Sequence, residues 1–106
     1  MGNAVFAKEM AEMEITVRYF TIIRNITGTR EEKIDAKEGS TVEDVLKTLG
    51  TRYGKEFERY ISSGRDHKGM KLLFFVDGRN IEGSEGFKTI LRTGNTLAIM
   101  PPVAGG

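Results

Sequence analysis

The residues best suited to chemistry stand at the end of the chain, Pro101-Pro102-Val103-Ala104-Gly105-Gly106. Both prolines fix φ and stiffen the exit from whatever precedes them. The small residues after them reach on the order of 13 Å when extended at about 3.3 Å each. Gly105 and Gly106 have no Cβ, so the end can thread a narrow channel and take whatever φ the channel imposes. Val103 and Ala104 are slim enough to follow. A carboxylate on such a stalk can be presented deep inside another protein's active site. The other concentration of reactive types is Ser62, Ser63, Asp66 and His67, the last being the only histidine. A hydrolase brings such groups together from separate elements and adds an oxyanion hole. Groups crowded into one polar stretch read instead as a solvated loop. The chain has no cysteine, which removes disulfides, thiolate zinc sites, iron–sulfur clusters and a thiol nucleophile together. No metal site is expected.

Something must hold that tail out, and the hydrophobic pattern says what. Glu14 to Tyr19 alternates as a half-buried strand does, with Ile15, Val17 and Tyr19 inward. From Phe20 the apolar positions Phe20, Ile22, Ile23 and Ile26 suit a short helical turn, capped by Gly28. Glu32 to Ala36 reads as a second strand around Ile34, antiparallel to the first. Thr41-Val42-Glu43-Asp44 has the form of a capping box. Val42, Val45, Leu46 and Leu49 then recur at helical spacing. Gly50 weakens that helix, while Tyr53, Phe57, Tyr60 and Ile61 continue an apolar face through a second helical piece. A polar loop over residues 62–69 leads to Leu72–Val76, the strongest strand, closed by Asp77-Gly78. Ile81 is expected to begin a minor strand. Thr96–Met100 forms the last one, stopped by prolines that cannot donate to a ladder. Two hairpins joined by a right-handed helical crossover set the first and last strands side by side in the middle. The expected fold is α+β, a ubiquitin-like β-grasp: a mixed sheet of four to five strands packed on one main helix.

Composition agrees with a single compact domain. Of 106 residues, 39% are hydrophobic and 29% charged, the balance of a globule rather than a disordered chain. Sixteen basic against fifteen acidic residues leave a charge of +1, too little to grip nucleic acid or an acidic membrane face. Lys68 and Lys71 flank the strong strand without a wider basic stripe interleaved with aromatics. No apolar run approaches the roughly 18 residues that cross a bilayer. Residues 1–13 hold Met1, Met10 and Met13 and a short apolar run from Asn3 to Ala7. That run is too short, and its start not basic enough, for a secretory signal. Phe6 stands where a myristoylation sequence needs Ser or Thr. The expected organisation is a flexible arm over 1–13, a β-grasp domain over 14–100 and an extended tail over 101–106. A reducing, cytoplasmic location fits a chain without cysteine.

Strand parity places a surface beside the tail. With Leu72, Phe74 and Val76 packed on the helix, Leu73 and Phe75 point away from it. With Leu97 and Ile99 inward, Ala98 and Met100 point outward. On neighbouring strands Leu73, Phe75, Ala98 and Met100 form one apolar patch at the root of the tail, the kind of surface that marks a partner site. Cover by the N-terminal arm or by the enlarged 53–69 segment is the competing reading.

Several segments resemble the MoaD/ThiS-type sulfur carriers. Tyr19-Phe20-Thr21-Ile22-Ile23-Arg24-Asn25-Ile26-Thr27-Gly28 resembles their first strand and helical turn. Thr41-Val42-Glu43-Asp44-Val45-Leu46 is similar to their capped helix start. Phe75-Val76-Asp77-Gly78-Arg79 resembles their apolar strand running into an Asn-Gly-type turn. Leu91 to Leu97 and the proline-containing tail resemble their closing strand and terminus. The likeness spans residues 14–106 and extends equally to small archaeal modifier proteins; thiazole-pathway carriers usually lack the double proline.

The resemblance implies a definite chemistry. An E1-like adenylating enzyme of MoeB, ThiF or UbaA type would couple the Gly106 carboxyl to AMP and expel pyrophosphate. ATP and magnesium would sit in that partner, since this chain has no phosphate-cradling loop of its own. Sulfur would then replace AMP and leave a thiocarboxylate. In a MoaD-like small subunit of molybdopterin synthase, the tail enters a MoaE-like large subunit and gives its sulfur to a pterin precursor. In a modifier, a target-protein lysine attacks the activated Gly106 and forms an isopeptide bond. Either way Gly106 reacts, while Gly105, Ala104 and Val103 thread the channel. The chain would be a carrier and not an enzyme. A non-conjugating β-grasp binding module with idle glycines is the remaining alternative.

Overall fold

The computed structural model describes residues 12–101. Strand β1 (Glu12–Tyr19) and strand β2 (Glu31–Lys37) pair antiparallel, with Ile15 opposite Ile34. Helix α1 (Thr21–Thr27) fills the connection and ends at Gly28, whose φ of 78° is the left-handed value that closes a helix cheaply only at glycine. Helix α2 (Val42–Tyr53) starts at a reciprocal capping box. The Asp44 N–H donates to the Thr41 hydroxyl at 3.2 Å, and the Thr41 N–H donates to the Asp44 carboxylate at 2.9 Å. Helix α3 (Lys55–Ser63) follows, then β3 (Leu73–Val76), β4 (Arg79–Asn80) and β5 (Thr96–Met100).

The sheet order is β2-β1-β5-β3-β4. β1 runs parallel to β5 with Val17 beside Leu97, and β5 runs antiparallel to β3 with Phe74 beside Ile99. The first and last strands therefore share the centre, the β-grasp arrangement. Alternation along β1, β2, β3 and β5 sends one set of side chains into a single core. Ile15, Val17, Tyr19, Leu97, Ile99 and Phe74 meet Val42, Val45, Leu46 and Leu49 of α2 and Phe57 of α3 there. Burying a side chain of this size contributes about 1.5–3 kcal/mol, so the core supplies most of the drive that holds the sheet's outer face in place.

Element bounds and some contacts differ from the sequence reading. β1 starts at Glu12 rather than Glu14, and Met13 is buried in the core opposite Ala36. The alternation simply continues backward through Met13, which the sequence alone cannot tell from one more methionine of an arm. The minor strand is Arg79–Asn80, and Ile81 opens a 3₁₀ turn instead. The Asn80 side chain accepts from the Glu82 N–H at 2.9 Å, which bends the chain and drops Ile81 into the core. Ser62 and Ser63 belong to α3, so the polar loop begins at Gly64. The short helical turn and the second helical piece expected from the spacing are α1 and α3, which accompany the main helix α2. At Gly50, which α2 runs straight through, an added Cβ would lie 2.8 Å from Cγ of Glu58 on α3. The glycine that weakens α2 thus lets α3 pack against it.

Candidate functional site

Val103, Ala104, Gly105 and Gly106 lie outside the described residues, as does the arm up to residue 11. The described chain shows the platform from which the tail departs. β5 ends at Met100, and Pro101 follows outside the strand. Leu73 stands opposite Met100, and Phe75 opposite Ala98. All four are half-buried and alternate with the core residues Leu72, Phe74, Leu97 and Ile99. They therefore share the sheet face turned away from the helices, at the end of β5 where the tail begins.

Two residues join this face that parity on β3 and β5 did not reveal. Arg18 of β1 lies beside Ala98, on its other flank from Phe75. Its guanidinium carbon sits 5.5 Å from the ring centroid of Phe20, a cation–π contact. Period-two reading of β1 already turns Arg18 outward. Only the parallel pairing of β1 with β5 brings it to the patch. Beside it a cleft is lined by Arg18, Tyr19, Phe20, Arg24, Arg30 and Glu31, so a basic margin borders the apolar centre. The rim is held by the Asp77 turn. Asp77, at φ 49°, accepts the Thr96 N–H at 2.8 Å and the Asn95 side-chain amide at 2.7 Å. These bonds tie the end of β3 to the start of β5.

The 53–63 part of the enlarged segment packs on the opposite, helical side. The Phe57 ring is fully buried and lies 5.8 Å from Tyr53, centroid to centroid. Cover by the N-terminal arm concerns residues outside those described.

Other polar clusters are satisfied internally. Glu32 accepts from the Tyr19 hydroxyl at 2.6 Å, from Arg52 at 2.6 Å and from the Tyr53 hydroxyl. Burial, and then the hydrogen bond to Glu32, push the Tyr19 phenol far above its ordinary value. The same causes, in the same order, raise Tyr53. This cluster clamps β1 and β2 to the C-terminal end of α2 and leaves no lone group to react. In the 62–69 stretch the Asp66 carboxylate accepts from the N–H groups of Lys68 and Met70 at 2.9 and 2.8 Å. Desolvation works to raise its carboxyl, but those donors hold it below the usual range. The Ser63 hydroxyl turns to the Tyr60 carbonyl at 3.1 Å. Among the described residues no hydrogen bond links His67 to Asp66, Ser62 or Ser63, so the structure does not assemble them. Among the described residues there is no group of His, Cys, Asp or Glu that could hold a metal ion, and no helix long and apolar enough to cross a membrane.

Residues 17–106 match the ThiS family. Small archaeal modifier protein 3 of Haloferax volcanii is 31% identical over 94 residues, covering 89% of this chain and 100% of that protein. The sulfur carrier protein CysO of Mycobacterium tuberculosis is 31% identical over 97 residues, covering 89% and 100%. Among solved structures, a chain of the BexX/CysO complex of Amycolatopsis orientalis superposes with a TM-score of 0.61 at 27% identity. That match covers 87% of this chain and 99% of that one.

Proposed function

The chain belongs to the ThiS family, and we propose that it is a ubiquitin-like sulfur carrier whose Gly106 carboxyl is the reacting group. A carboxylate is a poor electrophile. An E1-like partner, holding ATP and magnesium, would direct a Gly106 oxygen at the α-phosphorus of ATP. The acyl adenylate forms and pyrophosphate leaves. Sulfide supplied through the partner then displaces AMP at the carbonyl carbon, leaving a thiocarboxylate. The chain itself supplies presentation: a rigid sheet, a half-buried apolar row at the exit, and a tail that fits a channel. It acts as a substrate and subunit of other enzymes, in the cytoplasm where ATP is available, and binds no cofactor of its own.

The observation that carries this reading is the coincidence of two things at one end of β5. The apolar row Leu73, Phe75, Ala98 and Met100 lies where β5 stops, and the sequence Pro101-Pro102-Val103-Ala104-Gly105-Gly106 begins at the next residue. Docking through the row would aim the stalk into the docked enzyme. A MoaD-like role, with a MoaE-like large subunit taking the sulfur for a pterin precursor, is the first form of this proposal. The 31% identity to small archaeal modifier protein 3 supports a second, in which a target lysine displaces AMP and an isopeptide bond forms. The test is pyrophosphate release by an E1-like enzyme of the same host with ATP, comparing the intact chain with one lacking Gly105 and Gly106. Release should depend on the tail; equal release from both chains overturns the proposal. The intact mass of the chain from its host then separates the two forms. Oxygen exchanged for sulfur marks the carrier, and branched lysine peptides on other proteins mark the modifier.

A further inference from the structure

Among the described residues the sheet has one long free edge, β2, which pairs with β1 on one side only. The Tyr19 N–H donates to the Arg30 carbonyl at 2.8 Å. By alternation, the even-numbered residues of β2 turn their peptide groups toward β1, and Glu31, Lys33, Asp35 and Lys37 turn theirs to the open side. The side chains of those same four residues are exposed, and their charges alternate in sign along the strand. A groove lined by Ile34, Ala36, Val45 and Thr48 opens between β2 and α2, so the helix does not close the edge.

We propose that β2 pairs antiparallel with β2 of a second copy of this chain, about a twofold axis through Ile34. In such an isologous contact each residue before Ile34 faces the residue equally far after it in the other copy. Lys33 then faces Asp35 and Glu31 faces Lys37, and symmetry makes each pair twice. Opposite charges directly across an antiparallel ladder stabilise it, and like charges weaken it. The residues that face one another are also those whose N–H and C=O groups point to the open edge, so charge pairs and hydrogen-bonded pairs coincide. Moving the axis one residue, to Lys33 or to Asp35, sets Glu31 against Asp35 or Lys33 against Lys37. It also sets the axial charge against itself. Only the Ile34 register pairs all four residues with opposites.

The single chain leaves a charge unanswered that this contact supplies. Asp35 stands directly opposite Glu14 in β1, a like-charge pair. Lys33 reaches across to Glu14 at 3.9 Å, but among the described residues Asp35 has no cationic partner. Lys33 of the second copy provides it. The apolar row lies on β5 and β3, beyond β1, so the paired form keeps both tail roots open. Edge pairing alone buries less than the roughly 1,600 Å² of a standard stable interface, so the association is reversible and weakens with salt.

The test is sedimentation velocity on the full chain at low salt, up to millimolar concentration. Wild type should self-associate. Lys33→Asp and Asp35→Lys should each weaken association about tenfold, since each places like charges opposite one another twice. An equimolar mixture of the two variants should recover it, because every reversed residue then meets its opposite in the other variant. A wild type that stays monomeric overturns the proposal. So do single variants that associate as wild type does, or a mixture of folded variants that recovers nothing. Should a single variant fail to fold, the double variant K33D/D35K again places opposite charges across the twofold axis and must associate like wild type; its failure equally overturns the pairing.

Discussion

Tyr19 carries a phenol into the core and donates a hydrogen bond to Glu32, which also gathers Tyr53 and Arg52. The folded chain holds that proton well beyond the pH at which an unfolded tyrosine, near 10, releases it. The sign follows directly. Below pH about 10 both states are protonated and the contribution is complete; above it the unfolded state loses its proton first, and stability falls as pH rises toward the folded value. One such group lowers stability by about 1.4 kcal/mol per pH unit in that window. Tyr19→Phe should therefore give a shallower alkaline decline than wild type in urea denaturation measured from pH 9 upward. Parallel declines would show that Tyr19 ionises freely in the fold. Sequence alone places Tyr19 inward by parity, yet its partner comes from β2, thirteen residues away.

At the scale of elements, the Asp77 turn governs how the apolar row of β3 and β5 is aligned. Its carboxylate joins the end of β3 to Asn95 and Thr96 at the start of β5. That junction sets Phe75 against Ala98. Asp77→Ala removes both acceptors and leaves a Cβ residue at positive φ. It should cost about 1–2 kcal/mol in chemical denaturation. Asp77→Gly loses the same bonds but accepts the φ, so it should fall between alanine and wild type. Identical losses for the two variants would assign the whole effect to the hydrogen bonds. The turn residues Asp77 and Gly78 were legible because their types declare a turn. The bonds to Asn95 and Thr96 were not, because they span eighteen residues or more and depend on β5 lying beside β3. The capping box of α2 shows the opposite case. Thr41 and Asp44 sit three residues apart, so local chemistry decided both its presence and its partners.

The molecule as a whole is two-sided, with helices on one face of the sheet and a half-exposed row of Leu73, Phe75, Ala98 and Met100 on the other. Phe75→Asp changes that row without entering the core. It should lower the rate of tail activation by the E1-like enzyme at subsaturating concentration while the thermal unfolding midpoint stays within a few degrees of wild type. Full activation of this variant would remove the row from the docking surface. A large fall in the midpoint would instead show that Phe75 serves the fold.

The sequence by itself determined the elements and their faces. Alternation and helical spacing are local patterns, and caps and turns are written in residue types. That is why β5, the capping box and the inward set Ile15, Val17, Leu97 and Ile99 were readable without coordinates. The stiffness of the prolines and the slimness of the glycines over 101–106, on which the proposed function rests, are likewise properties of residue type. Tertiary structure decided what contact between distant strands creates. It drew Met13 into the core, bent the chain at Asn80 so that Ile81 left the sheet, and gathered three donors onto Glu32. It also brought Arg18 and Phe20 to the rim of the apolar row, and left the alternating charges of β2 on an open edge. Each of these depends on which strand lies beside which, and the choice belongs to the packed core, because burial rewards the whole arrangement and no single segment encodes it.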